Sequence, residues 1–324
     1  MADTAAAVES SLGPLGLGGA NLGNLFAPMD DEHAWRLLEA AWDGGIRYFD
    51  TAPHYGLGLS ERRLGEFLRT KPRGEFVVST KVGRLLRPSP ETADQLDMAD
   101  PYVVPATLKR VWDFSADGVR RSLDESLQRL GVDAVDLLFL HDPEEYDLEP
   151  ALATGVPALV KLREEGLVSR IGLGSKSTEA LLAGVRTGAL DLLMVAGRYT
   201  LLEQPAGKAV LPECRARGVG VLAAGVFNSG LLSTPHPSAD APYEYGPVPP
   251  DVLRRARRLA EVCAEYGVEL PTAALRFPLR EPAVRAVVIG AAEPGHVRQN
   301  LDRLRAAIPD ELWRRLGEEG FVRS

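Results

Sequence analysis

Cysteine is almost missing from this chain. Two are present in 324 residues, Cys214 and Cys263, far apart and within helix-like segments. That excludes a disulfide framework and a metal site of paired-cysteine spacing, so no metal is expected. Reduced thiols in a cytoplasmic protein are the simple reading. Long apolar runs are lacking too. None approaches the ~20 residues of a spanning helix, so no membrane partner is expected. Met1–Ala7 carries neither a basic stretch nor a long apolar one, so no secretory leader is expected there. Excess positive charge is absent: 37 Lys and Arg against 45 Asp and Glu leave a net charge of -8. With a pI of about 5.3, such a surface repels nucleic acid. A dinucleotide fingerprint is also missing. Leu15-Gly16-Leu17-Gly18-Gly19-Ala20 reads as a short strand entering a glycine-rich loop, without GxGxxG spacing.

Apolar residues are plentiful, at 45% against 25% charged, enough for a large buried core. They come in a repeated order. Short β-branched or Leu-rich runs near 15–20, 47–49, 76–82, 136–140, 170–173, 192–195, 220–223 and 286–289 read as strands buried on both faces. Each is followed by a segment of helical periodicity; over 30–43, for example, Ala34, Leu37, Leu38, Ala41 and Trp42 share a face. Eight βα units in this length predict a (β/α)8 TIM barrel with its active site at the C-terminal ends of the strands. No composition break divides the chain, so a loose terminus over 1–11 and one domain over 12–324 are expected. Two long loops interrupt it at about 83–113 and 226–250, and loops of that length are usually functional.

Four polar residues fall at the ends of consecutive strands: Asp50 with Tyr55 just after it, Lys81, and His141. A tyrosine has a pKa near ~10, and a neighbouring ammonium brings it down by stabilising the phenolate. Asp50 is suited to pair with Lys81, and His141 to hydrogen-bond a substrate oxygen. The set reads as a proton-transfer centre around one oxygen.

Here the chain resembles the aldo-keto reductases. The resemblance covers about residues 15–301. It is carried by Asp50-Thr51-Ala52-Pro53-His54-Tyr55-Gly56, by Leu137-Leu138-Phe139-Leu140-His141-Asp142-Pro143, and by Ala196-Gly197-Arg198-Tyr199-Thr200-Leu201-Leu202-Glu203-Gln204. These phrases look like the branch containing the D-threo-aldose, L-fucose and L-galactose dehydrogenases. The resemblance implies a catalytic tetrad of Asp50, Tyr55, Lys81 and His141, with Tyr55 as acid/base. It also implies a nicotinamide cofactor extended across the barrel top. Matching cofactor positions are Gly19, Ala20, Asp50, Ser175, Ala224, Gly225, Phe227, Ser229, Gly230, Gly290, Ala291, His296, Gln299 and Asn300. His54, Tyr55, Trp112 and His141 are the expected substrate contacts.

Three departures from the family pattern matter. Gly174-Ser175 stands where a Ser-Asn pair often holds the nicotinamide amide. Ala224 stands where an aromatic often stacks. Gly290 and His296 stand where NADP-preferring members carry Lys and Arg. A dianionic 2'-phosphate gains little without that charge, so NAD is expected over NADP, with Arg298 near enough to compensate. The implied activity is oxidation of an aldose at C1 to a lactone. Pyridoxal oxidation, or aldehyde or ketone reduction, is the alternative on the same tetrad. A non-catalytic nucleotide-sensing barrel is the remaining reading. The partner is a small molecule, a sugar in the first reading, and the oligomeric state stays open.

Overall fold

The eight short apolar runs close into a cylinder. The computed structural model describes residues 12–97, 100–244 and 246–322; the terminus expected to be loose, 1–11, lies outside them. The barrel strands are β1 (Leu15–Gly18), β2 (Tyr48–Asp50), β3 (Val77–Val82), β6 (Val135–His141), β7 (Val168–Ser175), β8 (Leu192–Ala196), β9 (Gly220–Ala224) and β12 (Val284–Gly290). All their pairings are parallel, and β1 closes the barrel between β12, with Leu15 opposite Val287, and β2, with Gly16 opposite Tyr48. β3 and β6 bury every residue, as strands must when one face meets the barrel interior and the other a helix.

The interior is filled by Tyr48, Val77, Leu137, Phe139, Leu192, Leu222 and neighbours. Gly16 makes room for one of them: a Cβ there would lie 2.4 Å from the Tyr48 ring. Helices cover the outside, and some of them begin at a side-chain cap. The Asp30 carboxylate accepts from the His33 amide at 2.7 Å, and Ser115 Oγ accepts from the Gly118 amide at 3.1 Å. These bonds satisfy amides that have no partner within the helix. Among the described residues, no helix is long and apolar enough to cross a membrane.

One stretch expected as loop is partly ordered. β4 (Arg84–Pro88) and β5 (Leu108–Trp112) form an antiparallel ribbon directly after β3, running from the Arg84–Trp112 pair to the Pro88–Leu108 pair. Prolines at 88, 90, 101 and 105 mask the short alternating runs on either side. Leu86 of this ribbon packs with Leu57, Tyr102 and Val104 beside Tyr55. In the other long loop, among the described residues, only the two-residue strands β10 (Pro242–Tyr243) and β11 (Gly246–Pro247) pair.

Candidate active site

β2 delivers Asp50, β3 delivers Lys81 and β6 delivers His141 to the same end of the barrel. Tyr55 sits on the turn after β2. That turn packs tightly on the loop after β1: Gly56 has φ +61°, and a Cβ on it would lie 2.3 Å from the Gly23 carbonyl oxygen. Only glycine combines that conformation with that approach, so Gly23 and Gly56 set the height of the Tyr55 backbone.

Asp50 and Lys81 are both almost fully buried. Lys81 Nζ donates to Asp50 Oδ2 at 2.7 Å, to the Thr51 carbonyl at 3.0 Å and to the Tyr55 hydroxyl oxygen at 3.1 Å. An ammonium has three protons, and here each has an acceptor. Ser79 Oγ donates to Asp50 Oδ1 at 2.6 Å, which leaves Tyr48 as the donor to Ser79 at 2.9 Å. Burial and the Asp50 charge push the Tyr48 phenol up, so it keeps the proton that this chain requires. A relay of fixed direction therefore orients the carboxylate, the carboxylate holds the ammonium, and the ammonium points a charge at one phenol oxygen.

His141 stands edge-on to Tyr55, ring centroids 5.9 Å apart. Burial, then the nearby Arg84 and Lys81 charges, hold it well below the ordinary histidine range. It is neutral at physiological pH, a hydrogen-bonding group rather than a proton store. Behind it lies His54, centroids 5.4 Å apart and edge-on. Arg84 Nη1 lies 2.8 Å from His54 Nδ1. A guanidinium only donates, so Nδ1 accepts and the His54 proton is assigned to Nε2. Burial and the Arg84, Arg110 and Lys81 charges also push His54 down. Arg84 further bonds Asp142 Oδ2 at 2.7 Å and Glu145 Oε2 at 3.0 Å. Burial lifts Asp142 to about 6, although Arg84 pulls the other way.

A cavity of about 420 Å³ opens over this centre. Tyr55, Lys81, His141 and Asp50 line one end. Of the expected cofactor positions, Ala20, Ser175, Ala224, Gly225, Phe227, Ser229, Gly230, Gly290, Ala291 and His296 line it too. Gly19, Gln299 and Asn300 do not. Gly19 packs against strand β2, where a Cβ would lie 2.9 Å from the Asp50 carbonyl oxygen. Gln299 is exposed on the helix Pro294–Arg305, and the buried Asn300 accepts from Arg303 at 3.1 Å. Of the expected substrate contacts, Tyr55 and His141 face the cavity. His54 lies behind His141. Trp112 on β5 stacks on Phe114 with the Arg84 guanidinium 4.4 Å from its ring centroid.

Several cavity residues had no signal in the sequence. Asn21, Leu25, Phe26, Lys176, Met194, Asn228 and Glu244 line it. Asn228 has φ +49° and Ser229 φ +59°, and Asn228 Oδ1 is buried with no hydrogen-bond partner in the structure. Two consecutive left-handed non-glycine residues ending in an unsatisfied acceptor are rare without a ligand role.

This frame has a match among known proteins. The model of the aldo/keto reductase family matches residues 14–318, and the chain belongs to that family. It is thus an oxidoreductase of a nicotinamide-dependent class. It is similar to a D-threo-aldose 1-dehydrogenase from a Pseudomonas species, 54% identical over 319 residues, covering 98% of this chain and 97% of that one. A pyridoxal 4-dehydrogenase from Microbacterium luteolum is 40% identical over 323 residues, covering 95% and 94%. Among solved structures, a glycerol dehydrogenase from Gluconobacter oxydans superimposes with a TM-score of 0.74 at 25% identity, covering 94% and 90%.

The residues present suit a nicotinamide dinucleotide. The cavity lining includes Tyr55, Gly225, Gly230, Gly290 and His296, the last in the first turn of the helix Pro294–Arg305. Glycines let backbone amides approach phosphate, a helix start favours anions, and the unsatisfied Asn228 oxygen suits a hydroxyl or amide donor. Among the described residues, the cavity lining contains no arginine, and its two lysines face carboxylates: Lys81 at 2.7 Å from Asp50 and Lys176 at 3.5 Å from Glu244.

Proposed function

We propose that this barrel oxidises an aldose at C1 to the corresponding lactone, with NAD as the preferred cofactor. The observation that carries the reading is the Lys81 ammonium, held by buried Asp50 and placed 3.1 Å from the Tyr55 oxygen. A positive charge fixed there favours the phenolate at little reorganisation cost. Tyr55 then takes the proton of the anomeric hydroxyl as the ring carbon becomes a carbonyl. His141, neutral, donates a hydrogen bond to that same oxygen and orients it. A nicotinamide held by the cavity residues would supply the two-electron chemistry, as acceptor for the hydride of C1. Burial of Asp50, Lys81 and His141 keeps bulk water from the transferring proton.

The sugar assignment draws on the 54% identity to a D-threo-aldose 1-dehydrogenase over nearly the whole of both chains. The preference for NAD draws on the absence of arginine from the described cavity lining, on Gly290 at the end of β12 and on His296 in the first turn of the helix that follows. The 40% identity to a pyridoxal 4-dehydrogenase favours one second reading. Pyridoxal closes to a cyclic hemiacetal, whose hydroxyl offers Tyr55 the same proton. The buried free thiols Cys214 and Cys263 suit a reducing compartment such as the cytoplasm.

Tyr55→Phe tests the reading. Removal of one acid/base group should lower kcat for aldose oxidation roughly 100- to 10,000-fold, with the Kd for NAD+ changed only a few-fold. A variant that keeps most of the turnover would contradict the assigned role.

A further inference from the structure

An aromatic side chain stands half-exposed at the mouth of the same cavity, and the loop that carries it is built to keep it there. Phe26 is 49% exposed, yet it lines the cavity together with Leu25 and Tyr55. Its backbone is left-handed, with φ +63°, a region that an aromatic residue adopts only when its surroundings impose it. Those surroundings are extensive. The Phe26 amide donates to the Pro101 carbonyl at 2.7 Å, and Val103 N donates to the Asn24 carbonyl at 2.9 Å. Asn24, itself at φ +64°, donates through Nδ2 to the Val103 carbonyl at 3.1 Å. Its Oδ1 accepts from Met29 N at 3.1 Å and from Arg63 Nη1 at 2.8 Å. Arg63, nearly buried, also donates to the Leu22 carbonyl at 2.8 Å and the Met29 carbonyl at 2.6 Å. A buried arginine thus fastens both ends of the loop after β1, and Leu25 packs against the cluster of Leu57, Leu86, Tyr102 and Val104. The result is a tightly held turn that presents one phenyl ring to the cavity that Tyr55 also lines. Outlying backbone of this kind gathers at ligand clamps.

We propose that Phe26 is the platform on which the substrate ring lies, and that it selects cyclic substrates over open-chain ones. The inference rests on the reading of Tyr55 as the group that takes the substrate proton. A pyranose or furanose has one face rich in C–H groups and an edge of hydroxyls. The C–H face suits an aromatic ring, while the anomeric hydroxyl turns towards Tyr55 and His141. A phenyl presented in advance costs little ordering on binding. An open-chain aldehyde of three or four carbons covers too little of it to benefit.

The test is Phe26→Ala beside Phe26→Tyr, assayed with L-fucose, D-arabinose and a short aldehyde such as methylglyoxal. Cofactor Kd is measured separately by nicotinamide fluorescence, and folding by thermal midpoint. The account expects Phe26→Ala to raise KM for the sugars about tenfold with kcat within about twofold. The short aldehyde and the cofactor Kd should be unaffected, and Phe26→Tyr should restore the sugar KM. Equal KM in parent and alanine variant would overturn the platform. So would a parallel loss on the short aldehyde, or a loss confined to the cofactor Kd, which would put the ring against the dinucleotide. If the parent turns over no aldose, the sugar reading fails on its own. Saturation-transfer NMR on the cofactor-loaded parent and alanine variant, with L-fucose and pyridoxal as probes, then decides the platform. Transfer to ring protons in the parent that is lost in the variant supports it; transfer to neither ring, or unchanged transfer in the variant, overturns it.

Discussion

Asp142 and the two histidines beside it are held away from their ordinary titration ranges in opposite senses, and each displacement links folding to pH. Burial lifts Asp142 from 3.8 to about 6, so the fold favours its protonated form. Its contribution to stability is complete below about pH 4 and is lost as pH rises to about 6. Burial and the Arg84 charge depress His54 and His141 below 6.5, so the fold favours their neutral forms. Their contribution is complete above about 6.5 and is lost as pH falls. Asp142→Asn removes only the first effect. The difference in thermal midpoint, variant minus parent, should therefore grow as pH rises from 4.5 to 6.5; a flat difference would contradict the assignment. This residue chemistry was only half legible in the sequence. Asp50, Tyr55, Lys81 and His141 stand out because each lies next to the end of an apolar run. Arg84 does not. It meets His54, Asp142 and Glu145 across 30, 58 and 61 positions, contacts that only the closed barrel creates.

The turn after β2 and the loop after β1 act as a pair, because Gly56 lies against the Gly23 backbone. Gly56→Ala meets both a positive φ and a carbonyl oxygen at 2.3 Å. It should cost at least about 1 kcal/mol of stability. By shifting Tyr55 it should also lower kcat by an order of magnitude or more, since misplacement of about 1 Å is that expensive. Gly74→Ala, where a Cβ meets open space, is the control and should stay within about 0.5 kcal/mol. Denaturant midpoints and kcat on the two variants check this. The barrel strands were legible because runs such as 137–140 are apolar on both faces. The β4–β5 ribbon was not, because its alternation is short and prolines interrupt the segment between. The left-handed turns at Phe26, Asn228 and Ser229 were equally hidden: none is a glycine, and at Phe26 the bond that holds the backbone reaches Pro101, far along the chain.

Across the whole molecule the barrel brings Asp50, Tyr55, Lys81 and His141 to one cavity, which Gly225, Gly230, Gly290 and His296 also line. The proposed preference for NAD rests on this lining. Among the described residues no arginine lines the cavity, and both lysines there face carboxylates, so a 2'-phosphate finds little compensation for its desolvation. NAD+ should raise the thermal midpoint more than NADP+ at equal concentration; saturation to 100 times Kd corresponds to about 2.7 kcal/mol. The reverse order would place an unrecognised cation, Arg298 first, on the phosphate. The central claim is aldose oxidation through Tyr55. Its most direct test is NMR of the product formed from L-fucose, L-galactose or D-arabinose with NAD+, while reduced nicotinamide is followed by absorbance. The account predicts a lactone in one-to-one yield with reduced cofactor, confined to sugars of one configuration and abolished in Tyr55→Phe. Turnover of pyridoxal alone, or of aldehydes only in the reductive direction, would contradict it.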